Sequence, residues 1–190
     1  MNLPKNGKSV LDLLNKNGFE SYAVGGFVRD MLMGKTPGDF DITTSALPDE
    51  TENILRQNNI KYVETGLKHG TITAVFDGEP IEITTFRADG EYKDNRRPET
   101  VSFVRDIKED LSRRDFTVNA MAYNEKDGLV DAFDGLGDLK RGIIRCVGIA
   151  EERFTEDALR MLRAVRFAAQ LGFDIEDKTK AAISKLAPNL

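Results

Sequence analysis

Two aspartates flank one aromatic residue at Asp39-Phe40-Asp41, twelve residues after a glycine pair, Gly25-Gly26. In an extended strand, side chains at i and i+2 leave the same face. Asp39 and Asp41 then converge, while Phe40 and Ile42 turn to the other side and bury. Hard carboxylate oxygens crowded on one face repel each other unless a divalent cation lies between them. Mg2+ suits such a pair when phosphate oxygens complete its octahedron. Upstream, Tyr22-Ala23-Val24 reads as a strand running into the glycine turn, and Phe27 to Met33 as a short helix. Backbone N–H groups exposed at such a turn accommodate anionic phosphate. A phosphate cradle beside metal carboxylates points to nucleotidyl transfer, whereas Asp-x-Asp alone also fits a solvated turn.

Three further constellations bear on the same chemistry. Glu82 alternates with Ile81 and Ile83, so it is either the wet face of a half-buried strand or a third carboxylate beside the pair. Arg113-Arg114-Asp115 with Asn119 four residues on puts Asp115 and Asn119 on one helical face, as a salt-bridged helix start or as a clamp for sugar and phosphate. Asp157 and Arg160 stand at i,i+3 with Arg163 a further turn on. They form an intrahelical ion pair or present planar hydrogen-bonding edges to a base. Gly7-Lys8-Ser9 is rejected as a phosphate loop, because Asn2 stands where that motif needs its first glycine. His69, in a turn before Thr71, is read as structural or surface.

Composition narrows the classes. The chain has 190 residues, 40% hydrophobic and 31% charged, the profile of a globular protein rather than a disordered one. It has no apolar run of about 18 residues and no charged-then-apolar leader, so no membrane span and a cytoplasmic setting are expected. One cysteine, Cys146, and one histidine exclude an internal disulfide and a Cys/His zinc site, leaving carboxylates for any metal. A net charge of −5 argues against nucleic-acid binding over the whole surface. A local basic stripe remains open, from Lys93, Arg96, Arg97, Lys140, Arg141 and Arg145 or from Arg153, Arg160, Arg163 and Arg166.

The elements that position these groups follow from periodicity. Helices are expected at Val10 to Asn17, stopped by Gly18, and at Thr51 to Asn58. Strands are expected at Phe19 to Val24, Asp39 to Thr43, Tyr62 to Thr65, Thr71 to Phe76 and Ile81 to Phe86, the last two joined through Asp77-Gly78 as a hairpin. Ala88 to Thr100 reads as a surface loop. From Glu151 the pattern predicts one unbroken helix with an apolar stripe (Leu159, Leu162, Val165, Ala169) ending at Gly172, then a helix from Asp177 to Leu186. The boundary falls near residue 148. Two helices make a thin domain, which predicts that the chain is part of something longer.

Taken together, AVGGFVRD, DFDITTSALP, IEITTFR, DGEYKDNRRP, RRDFTVNAMAY, DAFDGLGDLKRGIIR and ERFTEDALRMLRAVRF resemble the bacterial and eukaryotic class of tRNA nucleotidyltransferases, the CCA-adding enzymes of the polymerase-β-like superfamily. The resemblance implies an α+β fold. A nucleotidyltransferase head at 1–148, a mixed sheet flanked by helices, would be followed at 149–190 by the start of an all-helical neck, with body and tail absent. It implies that Asp39 and Asp41 bind Mg2+ with Glu82 as the third carboxylate, and that Gly25, Gly26 and Arg29 hold the triphosphate. Arg114, Asp115 and Asn119 would read the ribose, and Asp157, Arg160 and Arg163 the base. Residues 131–145 resemble the hinge between head and neck, and 87–98 the flexible loop of the switch from C to A addition. CTP, ATP and the tRNA 3′ end are the implied partners. Poly(A) polymerases and enzymes restricted to A or to CC addition share these motifs; the full-length DGEYKDNRRP loop argues against CC-only addition.

Overall fold

Alternating runs of β-branched residues set the framework of a computed structural model that describes residues 2–90, 92 and 98–190. Lys93, Arg96, Arg97 and the centre of the predicted loop lie outside the described residues. The strands are β1 (Ser21–Val24), β2 (Asp41–Thr44), β3 (Lys61–Gly66), β4 (Thr71–Phe76), β5 (Glu79–Thr85), β6 (Arg87–Asp89), β7 (Val101–Phe103), β8 (Met121–Asn124) and β9 (Gly128–Asp131). Seven of them form one sheet in the order β3-β4-β5-β2-β1-β8-β9. Only β2 and β5 pair in parallel, so the sheet is mixed, and the fold is α+β as expected. β6 and β7 form a small hairpin at the base of the predicted loop, an element that the polar composition of that stretch concealed.

The helices are α1 (Lys5–Lys16), α2 (Gly26–Leu32), α3 (Pro48–Gln57), α4 (Ile107–Ser112), α5 (Gly135–Arg141), α6 (Ala150–Glu156), α7 (Leu159–Leu171) and α8 (Asp177–Leu186). Helix α3 starts earlier than Thr51 because Pro48 occupies its first turn and the Glu50 carboxylate accepts the Leu47 N–H at 2.7 Å. Val10, Leu11 and Leu14 of α1 pack with Phe27, Val28, Ile42, Leu55, Ile72 and Ile83 into one core. Each such side chain contributes about 2 kcal/mol by leaving water. The β4–β5 hairpin turns at Asp77 (φ 50°) and Gly78 (φ 84°), the paired left-handed conformation that fits the twist of the flanking strands.

Two expectations fail beyond residue 150. The predicted unbroken helix divides at Asp157, whose backbone is extended (φ −140°, ψ 102°) and whose Oδ1 accepts the Leu159 N–H at 3.0 Å. An aspartate that bonds its own backbone two residues on favours a helix start over a helix interior. The predicted apolar stripe also faces outward: Leu159 is 40% exposed, Leu162 54% and Val165 54%. The buried face is Met161, Ala164 and Phe167, which join Phe116, Val118, Ile144, Cys146 and Phe154 in a second core. A two-residue parallel pairing of Ile143–Ile144 with Asp174–Ile175 ties this helical region to the chain before it. Among the described residues, no helix is long and apolar enough to cross a membrane.

Candidate functional site

The glycine turn is fixed by backbone rather than by side chains. Gly25 adopts φ 73° and ψ −132°, a region that only glycine enters at low cost. Its N–H bonds the Met121 carbonyl at 3.2 Å, and its carbonyl accepts the Arg29 N–H at 3.1 Å. The turn is therefore held by β8 on one side and by α2 on the other. Arg29 points back over it, donating from Nη1 to Asn119 Oδ1 at 2.7 Å and from Nε to Asp30 at 2.8 Å.

The aspartate pair differs in one respect from its expected form. Strand β2 begins at Asp41, so Asp39 precedes it and is exposed, whereas Asp41 is half-buried. Phe40 does turn inward, edge-on to Phe27 at 4.7 Å between ring centroids. It fits against Gly7 of α1, where an added Cβ would stand 2.3 Å from the Phe40 ring. Glu82 lies directly beside Asp41 on the parallel neighbour β5. Burial raises the Asp41 pKa; Glu82 and Asp39 raise it further, and Arg114 opposes them. Two hard carboxylates in such mutual repulsion are a donor set that a divalent cation relieves. Among the described residues no third His, Cys, Asp or Glu closes in to form a complete cluster. Further ligands would have to come from substrate and water.

Both aspartates and the glycine turn line an open cleft of about 630 Å³, walled also by Arg29, Arg113, Arg114, Asp115, Asn119, Asp157, Arg160, Arg163, Arg166 and Phe167. Every sequence-predicted site residue except Glu82 lines this cleft, and Glu82 stands behind Asp41 on the next strand. The sequence reading missed Phe167, named Arg113 beside Arg114 without giving it a site role, and named Arg166 only as part of a basic stripe. A count of cations near Arg163 finds Arg166; Phe167 carries no signal apart from the fold. Six arginines face four aspartates in the cleft, so it favours an anion although the whole chain carries −5.

Asp115 and Asn119 meet as predicted, by a different route. They flank a short tight turn (Thr117–Asn119) rather than sharing an α-helix, and Asn119 Nδ2 approaches Asp115 Oδ1 at 3.4 Å. The second Asp115 oxygen accepts from Arg163 Nε at 2.7 Å, which joins the helical region to the sheet region across the cleft. Arg160 pairs with Glu156 at 2.8 Å rather than with Asp157, because the break between α6 and α7 turns Asp157 away. Its Nη2 also reaches Tyr92 Oη and the Arg113 carbonyl, each at 3.3 Å. Phe167 is ringed by cations, with Arg29, Arg163 and Arg166 within 5.0–5.5 Å of its centroid. Among the described residues, the buried Arg114 Nε has no hydrogen-bond acceptor.

Comparison with known proteins bears on what occupies such a cleft. Residues 21–145 match the poly(A) polymerase head domain. Relatives named CCA-adding enzyme include that of Lactobacillus delbrueckii subsp. bulgaricus, 53% identical over 92% of this chain and 43% of its own length. That of Leuconostoc mesenteroides is 53% identical over 95% of this chain and 44% of its own.

The chain belongs to the poly(A) polymerase head domain family. The Bacillus stearothermophilus CCA-adding enzyme solved in complex with CTP superposes with a TM-score of 0.89 at 45% identity, over 99% of this chain and 45% of that one. A tRNA nucleotidyltransferase solved with a primer tRNA and an incoming ATP analog gives 0.75 at 34% identity, over 94% and 50%. The chain thus spans under half the length of the curated relatives it matches. Family membership implies a divalent metal ion, which the donor pair of Asp39 and Asp41 fits.

Proposed function

We propose that the protein takes part in template-independent addition of CMP, CMP and AMP from CTP and ATP to the 3′ end of tRNA. The reading is carried by one observation: the paired aspartates and the glycine turn open into the same cleft as six arginines. The tRNA 3′-hydroxyl attacks the α-phosphate in line, and pyrophosphate leaves. Asp39 and Asp41, with Glu82 beside them, would hold Mg2+, which when bound lowers the hydroxyl's pKa and offsets charge on the leaving group. Gly25 shapes the turn that presents the Gly26 backbone N–H to the triphosphate, and Arg29 and Arg114 add charge-assisted hydrogen bonds. Asp115 and Asn119 accept and donate to the ribose hydroxyls. Asp157 and Arg160 offer complementary edges to the base, with Arg163 holding Asp115 in place.

Residues 1–148 constitute the catalytic head in this reading, and 149–190 begin the base-selecting neck. The tRNA acceptor arm is held mostly by regions outside residues 1–190, and the setting is the cytoplasm. The test is a primer-extension assay with tRNA lacking its CCA end, using this chain alone and joined to the C-terminal half of a CCA-adding relative. The joined protein should add two C residues and then one A, and stop. A long A tail, or A addition with no C, supports poly(A) or A-only activity and overturns the CCA reading. No incorporation by the joined protein overturns both.

A further inference from the structure

The cleft arginines point at a carboxylate that does not itself reach the cleft. Asp110, in α4, is completely buried (0% exposed) and spends both oxygens on protein donors. Oδ1 accepts from Arg113 Nη2 at 2.7 Å, Arg113 Nε at 3.1 Å and the Arg87 backbone N–H at 3.2 Å. Oδ2 accepts from Arg114 Nη2 at 3.1 Å and from Thr43 Oγ1 at 3.3 Å. Thr43 stands two residues beyond Asp41 on β2. The other face of Arg114 looks at the glycine turn, its Nη1 lying 3.5 Å from the point where a Cβ on Gly25 would sit. A single buried carboxylate therefore bridges the strand of the metal-binding aspartates to the guanidinium that faces the phosphate turn. With Nη2 tied back to Asp110, Nη1 is the guanidinium nitrogen held toward the glycine turn.

We infer that Asp110 is a positioning residue for nucleotidyl transfer. It fixes Arg114 in register with Asp41 and the Gly25 turn, so that the arginine meets the triphosphate without first losing rotamer freedom. The inference rests on the nucleotide-binding reading given above and assigns the phosphate-side arginine its support. A role confined to fold stability would lower all binding alike. A positioning role weakens grip on the phosphates alone, and only while Arg114 is present.

The experiment is a double-mutant cycle on the full 190-residue chain, with Asp110→Asn, Arg114→Ala and the pair, each first checked for a cooperative melt. CTP is titrated by calorimetry in Mg2+, and cytidine, which lacks phosphates, by chemical-shift perturbation. Asp110→Asn should weaken CTP by about tenfold and leave cytidine unchanged, as expected for a disturbed charge-assisted hydrogen bond. The double variant should bind CTP no more weakly than Arg114→Ala alone. Unchanged CTP affinity in Asp110→Asn, equal losses for CTP and cytidine, or additive losses in the double variant would each overturn the inference while leaving the nucleotide site standing. Absence of CTP binding by the unaltered chain would overturn both. If Asp110→Asn does not fold, 15N exchange spectroscopy of the unaltered chain decides. Restricted rotation of the Arg114 guanidinium without nucleotide supports the positioning role, and free rotation overturns it.

Discussion

The two walls of the cleft are built on different principles. On the sheet side, Gly25, Gly26 and Asp41 are placed by backbone geometry, through a strand register, a left-handed glycine and the hydrogen bond to Met121. On the arginine side, Arg114, Arg160 and Arg163 are placed by side-chain pairing to Asp110, Glu156 and Asp115. A backbone-placed group needs no partner and tolerates few neighbours. A side-chain-placed group depends on each carboxylate that holds it, and each carboxylate can be removed singly. The sheet wall suits invariant chemistry on the phosphates. On the paired wall Arg114 serves the phosphates, while Arg160 and Arg163 suit a base-reading surface, where small shifts of one arginine change which edge is offered.

That contrast orders the expected effects of substitution. The largest belongs to Asp41→Ala and Asp39→Ala, each of which should reduce transfer by about 1,000-fold or more in the joined protein, since the metal supplies several kcal/mol of charge stabilisation. Yet Asp41→Asn should raise the melting temperature of the metal-free chain by about 2 °C, because it removes a half-buried carboxylate repelled by Glu82 and Asp39. Differential scanning fluorimetry checks this, and a lower melting temperature would contradict it. Next comes the pairing wall. Arg160→Ala should cost about 10- to 100-fold in CTP affinity and blur discrimination against UTP.

Stability effects follow. Asp110→Asn leaves two partly buried arginines without their carboxylate and should cost about 3 kcal/mol near neutral pH, read by urea unfolding. Burial acts to raise the Asp110 pKa, but Arg114 and Arg113 outweigh it and hold it below the ordinary carboxylate value. Its contribution is therefore fully present above the unfolded-state pKa of about 4 and is lost as pH falls below that, through the lower folded value. The gap between the unaltered chain and Asp110→Asn should narrow on acidification below about pH 4, and a constant gap would contradict the pairing.

Smaller still is Gly7→Ala. Its methyl group would meet Phe40 at 2.3 Å and should cost about 1–3 kcal/mol while also lowering activity, because Phe40 sits between the two aspartates. Least of all is Leu162→Glu on the exposed face of α7, which should shift stability by no more than about 0.5 kcal/mol. Unfolding of that variant would mean that Leu162, not Met161, belongs to the core.

The same division separates what the residues disclosed from what they hid. Backbone-placed groups were legible, since a glycine pair before an aspartate pair constrains the local conformation directly. The β4–β5 hairpin followed from β-branched runs and an Asp-Gly turn, whereas the mixed sheet was implied by the family resemblance alone. The α7 register was not legible. Leu159, Leu162 and Val165 satisfy helical periodicity as well as Met161, Ala164 and Phe167 do, and only the partner surface, Phe116 and Cys146, decides which face is buried. Asp157 concealed the break at its own position, because its bond to Leu159 competes with helix continuation by an amount no periodicity records. Asp110 gave no sign, for its five donors come from Thr43, Arg87, Arg113 and Arg114, distant in the chain or turned by the fold.

The most direct test of a nucleotide site in this chain is calorimetric titration with CTP, ATP, GTP and UTP in Mg2+, beside the Asp157→Ala variant. Binding of CTP and ATP but not GTP or UTP, with that selectivity lost in Asp157→Ala, is the expected result. Equal binding of all four nucleotides, or none of any, would contradict it.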